Sequence, residues 1–305
     1  MIKKETGYFK SYDGTKIYYE SRGEGPPIIL CYGIGCLINH WRYQIKAFSE
    51  NYQVITFDYR AHHKSELPMD SSHINIEALA KDLHCLMDHL QIQKASVWGH
   101  SFGTQVILRS YDLNPDYFNS LVFINGFASD PIAGMFGNGA ASKAFDLLKR
   151  GFDMAPETLS YIWKMAVNNP ISMQASALAG GFNLNLTQLK DVEIYSRGVA
   201  SMDLLAFLTL FEHMMAYDGR PVFEKIKAPT LIVSGKQDSV TPQSYQEEMH
   251  DRIKGSKYLL VPYGSHCTQL DLPDFVNLRI EKFLANHIKK GTDKPSLPDN
   301  SRSPE

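Results

Sequence analysis

The sequence predicts an α/β fold, a mostly parallel eight-stranded sheet flanked by helices, with a helical cap inserted after the sixth strand. Three observations carry that expectation. Eight short runs rich in β-branched and aromatic residues, each bounded by glycine, proline or polar clusters, recur along the 305 residues. Stretches with helical periodicity fill the gaps between them, which is the alternation that makes a parallel sheet covered on both faces. The alternation breaks once, over about a hundred residues from Ala128 to Ala228.

The first two runs, "TGYFKSYD" and "KIYYESRG", alternate in polarity and read as an antiparallel hairpin turning at Asp13-Gly14. The next six, "PPIILCYG", "YQVITFDY", "ASVWGHS", "LVFINGF", "PTLIVSG" and "KYLLVPYG", are nearly continuous apolar runs, as expected of strands buried on both faces. In "INIEALAKDLHCLMDHLQ", Ile76, Leu79, Ala80, Leu83, Leu86, Met87 and Leu90 keep the spacing of one buried helical face. "DLPDFVNLRIEKFLANHIKK" does the same after Pro273, and two lysines near its end suit a helix C-terminus. The interval between "LVFINGF" and "PTLIVSG" has helical patterning and no convincing strand. A structureless loop of that length would be improbable in a compact domain, so it reads as the cap. Seven of the eleven methionines fall there, with Phe136, Phe145, Phe152, Tyr161, Trp163, Phe182, Phe207 and Phe211, residues suited to the cap's own core and its seam with the sheet. The expected division is a core from 1–127 and 229–290, a cap from 128–228 and a disordered, polar, proline-rich tail from 291–305.

A formal charge of −2 without a long basic block argues against nucleic acid as a partner. No run approaches the length of a membrane span, and "MIKKETGYFKSYDG" lacks the apolar segment of a secretory signal. Cys31, Cys36, Cys85 and Cys267 show no Cys-x-x-Cys spacing and fit a reducing, cytoplasmic setting as small buried side chains. The sequence carries no signal of oligomeric state.

Chemistry concentrates at three strand ends. "Gly99-His100-Ser101-Phe102-Gly103" follows one strand and opens the helix "TQVILRSY", the context in which G-x-S-x-G describes a serine raised on a tight turn. A serine hydroxyl needs a base, and the base an orienting partner. His266 lies just after the last strand, in "VPYGSHCTQ", and Asp238 just after the strand before it, in "IVSGKQDSVTP". Asp130, after the sixth strand, competes with Asp238 for the acid's role.

The chain resembles the α/β-hydrolase superfamily, within its cap-bearing serine esterase and lipase-like group. The likeness runs from about Tyr8 to Ile288 and rests on an ordered set: "ILCYGIG", "HWRYQIKAFSENYQVITFDYRAHHKS", the Ser101 elbow, "SGKQDSVTP" and "PYGSHCTQLDLPDFVNLRIEKFL". It implies a Ser101, His266, Asp238 triad, elbow glycines at Gly99 and Gly103, and an oxyanion hole from the backbone N–H groups of Ile34 and Phe102. The expected activity is hydrolysis of a carboxylic ester of a small to medium apolar molecule, with no metal and no cofactor. C–C bond hydrolysis, acyl transfer and cofactor-free haloperoxidase chemistry share such a site, and a non-catalytic small-molecule receptor is the reading from another class. An epoxide hydrolase or dehalogenase would carry aspartate at the elbow.

The departures from the family pattern are local. Tyr32-Gly33 stands for His-Gly, and Ser265 for the glycine that commonly precedes the histidine. In "Asp58-Tyr59-Arg60-Ala61-His62-His63-Lys64-Ser65" both glycines of D-x-R-G-x-G-x-S are gone, so a turn needing positive φ must be rebuilt or strained. Of the remaining polar groups, His62 and His63 read as a solvated loop, and His84 with Asp88 as a surface pair one helical turn apart. His100 reads as a packing residue beside the nucleophile, and His213 as a satisfied core group of the cap.

Overall fold

The computed structural model describes residues 2–132, 140–167, 169, 171 and 181–287. Phe136 and the expected tail at 291–305 lie outside them. Eight strands form one sheet: β1 (Lys4–Lys10), β2 (Lys16–Arg22), β3 (Pro27–Cys31), β4 (Gln53–Phe57), β5 (Ala95–His100), β6 (Phe118–Ile124), β7 (Thr230–Gly235) and β8 (Lys257–Val261). Their order is β1-β2-β4-β3-β5-β6-β7-β8. β2 runs antiparallel to β1 and β4, and all other pairs are parallel. The eight strands, the hairpin at Gly14 and the direction of the sheet are those expected from the sequence.

Burial explains the patterns that predicted the strands. β5 and β7 are buried at every residue and β3, β4 and β6 at nearly all, because helices cover both faces. β8 departs from that expectation. It is the sheet's far edge, with Tyr258 to Leu260 half-buried.

The helix Ile76–His89 is capped by Asn75, whose side chain accepts from the Ala78 amide, satisfying one of the donors a helix start leaves over. Its face buries Leu79, Leu83, Leu86 and Met87 as the periodicity required, and also Asp82. That carboxylate takes a bidentate pair of hydrogen bonds from the fully buried Arg60, at 2.8 and 2.6 Å. Arg60 also reaches Asp13 at 2.7 Å, so the loop after β4 is pinned to the first hairpin.

That loop answers the question of the missing glycines. Ala61 and His63, which occupy the two glycine positions, have φ of 60° and 45°. The turn is kept and the left-handed conformation is borne by residues with a Cβ, at a cost of about 1–2 kcal/mol each.

Between β6 and β7 the chain leaves the sheet and forms the helices Ala140–Met154, Pro156–Val167, Leu189–Ser201 and Leu204–Ala216. Phe145, Leu204 and Leu208 form their own buried cluster, joined by Phe152, Trp163, Phe207 and Phe211. Phe182 and Val192 pack instead on Cys267 and Leu270 of the sheet domain. Tyr161 takes no part in either cluster and is exposed, as is His213, which the sequence suggested was a core group. The chain then returns through the helix Gln243–Arg252, between β7 and β8, and closes with Pro273–His287. Among the described residues no single helix is long and apolar enough to cross a membrane.

Candidate active site

Three strand ends converge above the sheet. β5 delivers Ser101, which sits at φ 54°, a left-handed conformation that costs about 1–3 kcal/mol and holds the side chain away from the sheet. The flanking glycines make so sharp a turn possible. A Cβ on Gly103 would run into the Cys31 carbonyl oxygen, and one on Gly99 would stand 2.8 Å from Ile107 Cδ1 and 3.0 Å from the Thr104 nitrogen. The helix Gly103–Leu113 starts immediately after, with Phe102 as its N-cap, so the unpaired N–H groups and positive dipole end of a helix start face the Ser101 turn.

His266 follows β8 and Asp238 follows β7. His266 Nε2 lies 3.0 Å from Ser101 Oγ, and its Nδ1 lies 3.0 Å from Asp238 Oδ2. Asp238 is further fixed by the Val240 and Thr241 amides, which donate to Oδ1 at 2.9 and 2.8 Å. Its Oδ2 accepts from Thr241 Oγ1 at 2.6 Å and from Asn125 Nδ2 at 2.8 Å. Burial pushes this carboxyl up, but the facing His266 ring and the hydrogen bonds from His266 and Thr241 outweigh it and hold Asp238 below the ordinary aspartate range. The anion that results is the partner an imidazolium needs. Asp130 makes no such contact: its Oδ1 caps the Ile132 amide and its carbonyl accepts from Tyr245.

Asn125 was not legible as a site residue. It directly follows β6 with φ 49°, and only that position just beyond a strand could have marked it. Thr241 was equally silent, lying inside "QDSVTP" without a motif role.

His100 donates from Nε2 to the His266 carbonyl at 2.9 Å, so it steadies the histidine's loop, as a residue packed behind the nucleophile should. Burial and the neighbouring rings of His40 and His266 push its imidazole well below the usual range, keeping it neutral. His62 is not on a solvated loop. It is fully buried, its Nδ1 donates to the Arg60 carbonyl at 3.1 Å, and its Nε2 accepts from the Gly35 amide at 3.2 Å. Burial lowers its pKa to about 3, which keeps Nε2 free to accept. His63 is partly buried and reaches the Cys36 carbonyl at 2.8 Å and Ser201 Oγ at 3.1 Å. The two histidines together tie the loop after β3 to the β4 loop and to the cap helix Leu189–Ser201. His84 and Asp88 do not pair with one another either; His84 meets Ser110 Oγ at 2.8 Å and Asp88 accepts from Tyr117 at 2.6 Å.

Tyr32 fills the place of the usual histidine with a network of its own. Its hydroxyl donates to Asp58 at 3.1 Å and accepts the Tyr59 amide at 3.0 Å, while the Tyr59 hydroxyl returns to the Tyr32 carbonyl at 2.9 Å. Ser265 is likewise absorbed, its amide and hydroxyl both donating to Asp271 at 2.6 and 2.7 Å.

A cavity of about 200 Å³ opens on Ser101 and His266. The sheet domain gives it Gly33, Ile34 and Phe127, and the cap segment gives it Phe182, Tyr195, Phe211 and Met214. Cys36 and Cys267 are buried, as expected, and also line it. Thus Phe182 and Phe211 serve both the packing of the cap and the wall of the cavity.

The model of the alpha/beta hydrolase fold family matches residues 26–273. Among curated proteins the chain is 24% identical over 261 residues to a putative carbamate hydrolase RutD of Azorhizobium caulinodans, covering 86% of this chain and 92% of that one. It is 26% identical over 265 residues to 3-oxoadipate enol-lactonase 2 of Acinetobacter baylyi, covering 86% and 90%. Among solved structures, the enol-lactonase from Burkholderia xenovorans superposes with a TM-score of 0.71 at 22% identity, covering 92% of this chain and 100% of that one. A bromoperoxidase from Bacillus anthracis does so with a TM-score of 0.74 at 22% identity and the same coverage. At such identities the structural likeness speaks for the fold.

Proposed function

This chain belongs to the α/β-hydrolase family and is an enzyme of that family; from this premise we propose that it cleaves carboxylic esters of small to medium apolar molecules through Ser101, His266 and Asp238. The observation that carries the reading is the continuous run of contacts from Asp238 Oδ2 through His266 to Ser101 Oγ, each 3.0 Å long, opening on a mostly apolar cavity. Ser101 attacks the ester carbonyl as its proton passes to His266 Nε2, and Asp238 stabilises the imidazolium that forms. The amides of Ile34 and Phe102 hold the oxyanion, each worth about 3 kcal/mol of barrier if well aimed. His266 returns the proton to the leaving alcohol. It then deprotonates a water that releases the acid from Ser101.

Residues 128–228 act as the cap over the core formed by 1–127 and 229–290, and their apolar side chains select the substrate. The names of the relatives support a carbonyl substrate, since carbamates and enol-lactones are both attacked at a carbonyl carbon bonded to a heteroatom. Four free cysteines are in keeping with a cytoplasmic enzyme.

Intact mass after exposure to a fluorophosphonate tests the nucleophile without a guessed substrate. One adduct on the wild type and none on Ser101→Ala is the expected result. A folded wild type that takes no adduct would overturn the mechanism and turn attention to a ligand-binding role.

A further inference from the structure

Beside the triad lies a second cluster that the proposed reaction does not use. Cys36 is on the loop after β3, His40 is in the short helical turn Ile38–Trp41, and His100 ends β5. All three are buried, and the Cys36 thiol and one ring nitrogen from each histidine lie within 4.8 Å of one another. We propose that Cys36, His40 and His100 form a site for a borderline divalent cation of the zinc class, held by one thiolate and two neutral imidazoles.

The chemistry of the set fits such an ion. Thiolate and imidazole are the ligands that zinc takes in tetrahedral sites, and three protein ligands leave a fourth position open. Here Cys36 and His100 also line the cavity over Ser101, so ions have a route in and a water has a place at the fourth position.

His100 is oriented as a ligand commonly is, its Nε2 donating to the His266 carbonyl at 2.9 Å so that the ring is fixed and Nδ1 is left free. His40 Nε2 accepts from Gln269 Nε2 at 2.6 Å; turning that amide presents its Oε1, which meets no donor among the described residues, to a His40 Nε2–H and frees Nδ1 for the ion. His100 Nδ1 is the second, independent sign: it is buried and meets no donor among the described residues, an arrangement that costs about 1–3 kcal/mol if nothing satisfies it. That lone pair points into the cluster. A Cβ placed on Gly33 would stand 3.3 Å from His100 Nδ1 and 3.4 Å from Cys36 Sγ, so the two ligand atoms flank the same small space beside residue 33. Burial holds both imidazoles neutral, with His40 lowered to about 3. The thiol is pushed up instead, so binding must release its proton. Metal–ligand bonds of about 2.0–2.3 Å put the tetrahedral nitrogen and sulfur atoms about 3.3–3.6 Å apart, so closing the site needs a contraction of at most about 1.5 Å.

The test uses the full chain and the metal alone. Cobalt(II) added to metal-free protein is expected to bind one equivalent with a thiolate-to-cobalt charge-transfer band, and zinc is expected to displace it. Cys36→Ala should lose the band and His40→Gln should weaken binding at least tenfold, whereas Ser101→Ala should keep both, separating this site from the triad. X-ray absorption on the zinc-loaded wild type needs no variant and should read one sulfur and two imidazole nitrogens. Absence of a thiolate band in the wild type, its survival in Cys36→Ala, or a zinc shell without sulfur would each overturn the proposal.

Discussion

Among the described residues Asp238 accepts from Asn125, Val240 and Thr241 as well as from His266. The first three decide how firmly the carboxylate is aimed. Asn125 is the test of this, because its amide donates to the same Oδ2 that faces the imidazole, and its own backbone is held at positive φ to do so. Asn125→Ala leaves that oxygen short of a charge-assisted bond worth about 1.5–3 kcal/mol. The expected result is a fall in kcat of about tenfold or more on a short-chain nitrophenyl ester with KM little changed. A rise in KM at constant kcat would instead assign Asn125 to substrate binding. The residues chosen from sequence for the triad were legible because each follows a strand. Asn125 follows one too, but nothing in "FINGF" distinguishes an amide turned toward the acid from a loop residue.

Among the elements, the cap helix Leu189–Ser201 has the most direct hold on the loop that carries Ile34. A Cβ on Gly198 would stand 2.6 Å from the Gly35 carbonyl oxygen, closer than any real contact, so helix and loop touch backbone to backbone. At the helix's end Ser201 meets His63, and near its start Asp191 is paired with Arg42 of the core. Gly198→Ala must push the loop and helix apart. It is expected to lower stability by about 1–3 kcal/mol and kcat together, read as a drop in the urea midpoint alongside steady-state kinetics. An unchanged kcat would mean that the cap does not set the loop's position. Helical patterning across 128–228 announced helices in this interval without bounding this one, and said nothing of which neighbour required a glycine in it.

For the molecule as a whole, buried neutral histidines set the acid limit. His40, His62 and His100 are all shifted down by burial, the first two to about 3. In the unfolded chain each takes up a proton near pH 6.5 that it refuses in the folded one, so the unfolded state binds more protons and stability falls as pH drops. From pH 6.5 down to about 5 each contributes a slope approaching about 1.4 kcal/mol per pH unit, so that the three together approach about 4 kcal/mol per unit. Below that the carboxylates act in both directions: Asp58, Asp82 and Asp271, pushed up by burial, take up protons more readily folded than unfolded and soften the loss, whereas Asp13, Glu20, Asp112 and Asp238, held low in the fold, deepen it. Urea unfolding at pH 7 and pH 5 checks this. A flat profile over that window would show that the three imidazoles are solvated or charged in the folded state.

What is written locally could be read from the chain: two alternating and six apolar runs that had to be strands, the amphipathic helices between them, the long helical interval after β6, and a serine in a glycine-bounded turn. Periodicity and turn chemistry act over a few residues, so a single chain suffices to read them. Which distant groups meet depends on how the elements pack. The acid facing His266 is Asp238 rather than Asp130 because β7 ends beside β8, and Asn125 joins it because β6 lies next in the sheet. His62 looked solvated in a polar loop and is buried because Arg60 and Gly35 need its two nitrogens. Cys36, His40 and His100 come together for the same reason, since β3 and β5 are neighbours, and sheet order is a property of packing that no local pattern records.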